Sequence, residues 1–213
     1  MSNLVLIFDV ETSGLIPKGE PALDLCPYIL QLSFIMFNTN TLTIEKQYNT
    51  YINVPSKVHI LPEIEKLTGI TRVKCNTGVV VTEALTELYN AYVKCDKVIA
   101  HNIDFDSKMV RLELARNPGR KTRHLCDLLN TGYELANKKE RYCTMSHSIE
   151  LCSIIVEAID RKGQPYQYKK FPRLSELHQK LFGTIPENLH DSMVDTMVCL
   201  RCYMKMVHNI ALP

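Results

Sequence analysis

No stretch of this 213-residue chain comes near the roughly 18 consecutive apolar residues that a membrane span needs. The amino-terminal end also lacks a basic segment leading into a secretory apolar core and cleavage site. The expectation is an intracellular, soluble protein with no membrane partner, cytoplasm and nucleus being indistinguishable. Internal repeats and low-complexity linkers are missing too, which leaves one core as the expected organisation. Charge of a single sign is scarce: 25 Lys and Arg stand against 23 Asp and Glu, a net +2. Bulk electrostatics therefore announces no polyanion, and a nucleic-acid partner has to be argued from local patches and from the site. The eight cysteines are scattered without the dense framework of a small secreted domain, so reduced thiols are expected. Cys199 and Cys202 form a lone C-x-x-C with no second pair at finger-like spacing, and are read as small buried thiols, not structural zinc ligands.

What is present reads as alternating strands and helices. Leu4 to Phe8 is a short apolar run suited to a buried strand. Tyr28 to Phe37 and Lys46 to Ile52 are rich in aromatic and branched residues, and Asn38 to Thr41 supplies a turn between them, so a hairpin is expected. Pro62 at a first helical turn and Gly69 as a stop bracket a short helix. A longer one is expected to Val93, capped by Thr82, and Lys97 to Ala100 is a fourth strand. A helix opening near Asp106 ends before Asn117-Pro118-Gly119, Leu125 to Ala136 reads as another helix, and Arg141 to Met145 as a fifth strand. Ser148 to Ile159 is helical in pattern but ambiguous because of its branched residues. Arg161 to Arg173, with Gly163, Pro165 and Pro172, reads as an irregular loop before helices at Leu174 to Phe182 and Asp191 to His208. The order implies one α/β domain.

Three acidic stations carry the chemistry. Asp9 and Glu11 are two apart at a strand's carboxyl end, so both carboxylates face one side of the sheet, where open α/β sheets place ligands. At the second station, His101-Asn102-Ile103-Asp104-Phe105-Asp106, spacing leaves open whether Asp104 or Asp106 points inward; capping and turn hydrogen bonds from Asn102 and Asp104 are the plainer reading. At the third, Asp191 and Asp195 are four apart and share a helical face, which favours that pair, while His190 lies in the entry loop with its side chain free to swing. Taken together, four or more carboxylates at three separated element ends point to two hard divalent cations, Mg2+ or Mn2+. Oxygen donors suit these ions, and the shortage of Cys and His ligands argues against catalytic zinc.

Phe8-Asp9-Val10-Glu11-Thr12-Ser13-Gly14, His101 through Asp106, and His190 through Asp195 resemble the three exonuclease motifs of the DnaQ-like, or DEDDh, family. Lesser similarities at Leu67 to Thr71, Cys143 to Met145 and Pro172 to Gly183 spread the resemblance over nearly the whole chain. It implies a ribonuclease-H-like fold, α/β, with a mixed sheet of about five strands flanked by helices, forming a single exonuclease domain over residues 1–213 with no polymerase domain attached. It assigns metal ligation to Asp9, Glu11, Asp106 and Asp195 and the general base to His190, overruling the spacing preference for Asp191. Asp191 stands where the tyrosine version of the superfamily would carry Tyr. Thr12 and Leu15 are implied to touch the terminal nucleotide, with His101 and Asn102 also on the substrate side.

The activity expected is hydrolysis of single-stranded nucleic acid, DNA favoured, from a 3′ end to 5′-mononucleotides, in proofreading or repair with a polymerase or replication partner. An imidazole general base predicts loss of activity on the acidic side. An RNA-trimming exoribonuclease of the same family is the alternative, since no motif reads a 2′-hydroxyl. A non-catalytic nucleic-acid-binding module and a nucleotide phosphatase are the other classes weighed. Two segments are candidate strand contacts: the basic cluster Arg116, Arg120, Lys121 and Arg123, and the stretch Tyr166, Tyr168, Lys169, Lys170 and Phe171, which interleaves rings with charge. Each reads at least as well as a solvated loop.

Overall fold

In the computed structural model, which describes residues 3–120 and 122–213, the first apolar run becomes strand β1 (Leu4–Thr12). It continues past Phe8, so Asp9 and Glu11 are strand residues. β2 (Ile29–Asn38) is buried along almost its whole length, and β3 (Thr43–Tyr51) runs back beside it as the outer strand. The turn between them is held by Asn38, whose Oδ1 accepts from the amides of Asn40 and Thr41 at 3.0 and 3.2 Å. Helices α1 (Pro62–Thr68), α2 (Arg72–Asn76) and α3 (Val81–Tyr92) follow, and Gly69 closes α1 in the left-handed conformation.

Next come β4 (Lys97–Ala100), α4 (Ile103–Arg116), α5 (Thr131–Ala136), β5 (Glu140–Cys143), and the short helices α6 (Thr144–His147) and α7 (Ile149–Cys152). A hairpin of β6 (Ile155–Ile159) and β7 (Pro165–Lys169), then α8 (Leu174–Phe182) and α9 (Ser192–His208), complete the chain. The main sheet has the order β3-β2-β1-β4-β5; β1, β2 and β3 pair antiparallel, while β4 and β5 join in parallel. This is the mixed five-stranded, helix-flanked sheet that the sequence led us to expect. Among the described residues no helix is long and apolar enough to cross a membrane.

Strand alternation divides the interior into two layers. Leu6, Phe8 and Val10 point to the face covered by α3 and α4, in a cluster with Leu85, Leu88, Met109 and Val110. Val5 and Ile7 point to the opposite face, against Cys199, Leu200, Tyr203 and Met204 of α9. Asp9 and Glu11 share the parity of Val5 and Ile7, so they emerge on the α9 side where that apolar layer ends. Cys199 and Cys202 are 2% and 0% exposed within α9, and all eight cysteines are free thiols.

Four expectations are corrected. Thr82 does not cap α3: the N-cap is Val80, two residues earlier, with no side-chain cap, and the Thr82 carbonyl accepts from the Thr86 hydroxyl inside the helix. Leu125 to Ala136 is not one helix. A short 3₁₀ turn at Arg123–Asp127 is followed by Leu129 at φ 52°, and Asn130 starts α5 afresh by accepting from the Tyr133 amide. Ser148 to Ile159 is helical only to Cys152; Ser153 at φ 47° ends it, and the branched residues beyond enter β6. Arg161 to Arg173 is not irregular either, because β7 pairs with β6 across a turn in which Asp160 Oδ1 accepts from Lys162 and Gln164 amides. Pro165 opens β7, a position where the missing N–H costs nothing in the ladder.

Candidate active site

Beyond Ile7 and Ile99 the parallel pairing of β1 with β4 stops, because β4 ends at Ala100 and the chain turns through Asn102 at φ 74° into α4. The Val10 amide, on β1 past that point, is taken instead by Asp106 Oδ1 at 3.2 Å. Asp106 is 3% exposed, whereas Asp104 on the same helix lies in solvent. Burial thus decides the question that spacing left open: Asp106 is the inward carboxylate. Asn102 makes no side-chain cap for α4.

At the third station Asp191 and Asp195 differ in how far their lone pairs are already committed. Asp191 caps α9, its Oδ1 accepting from the Met193 and Val194 amides at 3.0 and 3.2 Å and its Oδ2 from Gln31 Nε2 at 3.1 Å. Asp195, one turn on, accepts the His190 amide at 3.3 Å through Oδ2, and among the described residues its Oδ1 is buried without a partner. Asp9 Oδ2 is likewise buried without a partner among the described residues. A buried acceptor with nothing to accept from is costly unless a cation supplies the missing interaction. Glu11, His190 and Asp195 bring one donor atom each to within 4.8 Å of one another, so the residues fit a hard divalent ion held mainly by oxygen. His190 is exposed, in a loop where Asn188 and His190 both have positive φ, so its ring stands on the open side.

Electrostatics in the absence of a cation point the same way. Burial, then the neighbouring Asp195, drives the Asp9 carboxyl far above the usual range, the Ser192 hydroxyl only partly offsetting this. Glu11 is pushed up to about 9 by burial and by Asp9, Asp195 and Asp191. Asp106 is raised by burial and Asp9, and Asp195 to about 6 by burial, against the favourable His190 amide. Carboxylates crowded in this way share protons until a positive charge replaces them.

A support layer escaped the sequence reading. Gln31 and Ser33 are the polar residues in the buried part of β2, and the β1–β2 register sets them opposite Glu11 and Asp9. Gln31 Nε2 donates to Asn49 Oδ1 at 3.0 Å as well as to Asp191, Ser33 Oγ donates to the same Asn49 oxygen at 2.9 Å, and the Ser192 hydroxyl donates to the Asp9 carbonyl at 2.7 Å. Together these bonds fix the start of α9 against the sheet. The legible signal was two buried polar residues spaced like Asp9 and Glu11. His101 is not at the acids: it bonds Thr144 Oγ1 through Nδ1 at 3.0 Å and the Pro172 carbonyl through Nε2 at 3.1 Å. That carbonyl can only accept, so Nε2 carries the proton, and burial holds the imidazole neutral by lowering its pKa to about 4.

Thr12 is buried, its hydroxyl donating to the Gly14 carbonyl at 2.7 Å, while Leu15 is 84% exposed. Leu15 borders a cleft of about 450 Å3 lined also by Ser13, Gly14, Tyr28, Lys57 and His59. A larger cavity, about 720 Å3, runs along Tyr28, Val54, Glu113 and Arg116 and is lined by none of Asp9, Glu11, Asp106 and Asp195. Arg116 leaves the expected basic cluster: its guanidinium pairs with Glu113 at 2.9 Å, bonds the Leu23 and Cys26 carbonyls, and lies 3.9 Å over the Tyr28 ring. Arg120 and Arg123 are exposed, and Lys121 lies outside the described residues.

Comparison with known proteins gives a family and a fold. A family model described as Exonuclease, RNase_T, matches residues 6–203. No curated protein matches the chain. Among solved structures, a 3′-exonuclease described by its 3′-end-specific recognition of histone mRNA stem-loop is 15% identical, with TM-score 0.66 over 98% of this chain and 83% of that one. The nuclease domain of 3′hExo, a DEDDh family member bound to rAMP, is 15% identical, with TM-score 0.61 over 98% and 93%. The zinc-bound form of the E. coli ExoI–ssDNA complex is 17% identical, with TM-score 0.66 over 97% of this chain but only 41% of that protein.

Proposed function

Since the chain belongs to the RNase_T exonuclease family, we propose that it is a metal-dependent 3′–5′ exonuclease hydrolysing single-stranded nucleic acid, DNA favoured, to 5′-mononucleotides. The observation that carries this is the convergence of Asp9, Glu11, Asp106 and Asp195 from three separate elements, with two buried carboxylate oxygens left unpartnered. Residues 1–213 act as one exonuclease domain in this reading, serving proofreading or repair beside a polymerase or replication partner.

The four carboxylates would hold two ions, Mg2+ or Mn2+. Bound there, such ions acidify an attacking water and neutralise charge on the leaving oxygen. The protein's own groups do the rest. His190, on the open side of the cluster beside Glu11 and Asp195, accepts the proton of the attacking water. Thr12, held by its bond to Gly14, and the exposed Leu15 seat the terminal nucleotide at the mouth of the cleft toward Tyr28 and His59. Gln31, through Asp191, keeps α9 and hence Asp195 in register with Asp9. His101 and Asn102 contribute by shaping the turn that delivers Asp106.

The test is digestion of matched single-stranded DNA and RNA labelled at either end, with Mg2+ or Mn2+, reading product length directly. Mononucleotides released stepwise from the 3′ end, faster from DNA, are expected. Stepwise release from the 5′ end, or internal cleavage, would refute the polarity; faster RNA turnover would transfer the assignment to an exoribonuclease.

A further inference from the structure

The β6–β7 hairpin stands apart from the main sheet and is not used by the site described above. Its register sets Tyr168 opposite Val156 and Tyr166 opposite Ala158, so both phenols rise from one face over small partners. The rings stack at 5.7 Å between centroids and 28° between planes, and each is about half exposed, at 49% and 47%. Among the described residues neither hydroxyl makes a hydrogen bond, and no other ring or cation packs on the pair. Phe171, 58% exposed, follows at the exit of β7.

Charge accompanies the rings. Residues 155–173 hold five basic side chains, Arg161, Lys162, Lys169, Lys170 and Arg173, against Glu157 and Asp160. With Lys169 and Lys170 held by glutamates just outside this segment, the positive charge left to attract a polyanion lies on Arg161, Lys162 and Arg173. Lys169 and Lys170 pair with Glu150 and Glu176 and fasten the base. Arg161 and Lys162, at the turn, and Arg173 make no salt bridge among the described residues.

The base is also rooted at the sheet edge that carries the acids. Pro172, just after the hairpin, is bonded to His101 at the end of β4, the strand beside β1. Tyr168 lies four residues before Pro172, about 13 Å of extended chain.

We propose that this hairpin is a stacking platform for the single-stranded DNA upstream of the 3′ terminus: the bases lie on Tyr166 and Tyr168 while Arg161 and Lys162 meet the phosphates. This rests on the exonuclease reading for the position of the 3′ end. Aromatic faces accept any base, so the platform confers length dependence without sequence preference.

The test measures binding of a fluorescein-labelled 20-nucleotide single-stranded DNA, and of a dinucleotide, by anisotropy in chelator, where no cleavage occurs. Thermal unfolding serves as the control for folding. The double substitution Tyr166→Ala with Tyr168→Ala is expected to weaken the 20-mer at least about tenfold, Tyr→Phe at both positions to retain affinity, and the dinucleotide loss to be less than about twofold. Arg161→Ala with Lys162→Ala should lower the salt slope by about 1.4. Unchanged 20-mer binding in the Ala pair overturns the proposal, as does equal weakening by the Phe pair, or equal loss for both ligand lengths. RNA bound more tightly than DNA, or capture of neither, overturns the stated occupant. A wild type that binds the 20-mer through these tyrosines yet cleaves neither labelled end with Mg2+ or Mn2+ would remove the exonuclease reading and leave the platform standing.

Discussion

Raising the pH should weaken the metal-free protein and leave the metal-loaded protein nearly unchanged. Glu11 has an ordinary pKa of 4.5 and is pushed to about 9 in the fold, chiefly by burial and then by Asp9. A carboxyl raised in this way contributes stability below 4.5 that is lost as pH climbs toward 9, because the unfolded chain releases a proton that the folded chain retains. The slope is about 1.4 kcal/mol per pH unit for one such proton, so Glu11 alone costs about 3 kcal/mol between pH 6.5 and 8.5. Asp9 and Asp106 are shifted in the same direction. The window matters, since His101, whose pKa is lowered to about 4, works with opposite sign below pH 6.5, and Asp195 has finished titrating above about 6. For a chain of this size about 3 kcal/mol corresponds to a fall of roughly 6 to 12 °C in melting temperature. Saturating Mg2+ replaces the shared protons with fixed positive charge and adds mass-action stabilisation that grows with pH. Melting curves by circular dichroism at several pH values, in chelator and in millimolar Mg2+, read both effects, and Glu11→Gln should flatten the chelator series. A metal-free melting temperature that holds level or rises from pH 6.5 to 8.5, or a Mg2+ shift no larger at pH 8.5 than at 6.5, would refute the argument that these carboxylates are crowded and unpaired.

His190→Ala should reduce kcat by about 10²- to 10⁴-fold at neutral pH while leaving the melting temperature in chelator within a degree or two; full turnover on end-labelled DNA would remove its role as base. Gln31→Ala removes the partner of Asp191 Oδ2 and of the buried Ser192 amide, while Asn49 keeps Ser33, and should cost about 1–3 kcal/mol in urea unfolding, with a lower kcat because α9 loses its tie to the sheet. Wild-type behaviour on both counts would show that the tie is dispensable. Gly78→Ala should destabilise by about 1–3 kcal/mol, since a methyl there would sit 2.3 Å from the Tyr51 carbonyl oxygen and force apart the Ile52–Val79 bridge; an unchanged urea midpoint would contradict the close approach. The pH slope of stability between 4.5 and 6 should become less positive in His101→Gln, because the wild-type imidazole must give up its proton on folding; identical slopes would mean that the ring is not desolvated.

Local pattern alone determined the strands β1, β2 and β4, the helix α8 with its glycine stop, and the existence of three acidic stations, because each follows from periodicity, β-branching or a capping residue within a few positions. It misjudged residues 148–173, where a helical spacing of apolar residues competed with branched side chains and the branched residues prevailed once β7 was available to pair with β6. Periodicity also could not choose Asp106 over Asp104 or Asp195 over Asp191. Distant partners separate them: the Val10 amide beyond the end of β4 takes Asp106, and Gln31 from β2 joins the neighbouring first amides of α9 in occupying Asp191, while Asp195 Oδ1 is buried without a partner among the described residues. Arg116 shows the same limit in reverse, since a charge that reads as surface is buried against Glu113 and Tyr28. A residue's face is a property of its own turn of chain, but what that face meets is settled only when strands and helices from distant positions exclude water between them.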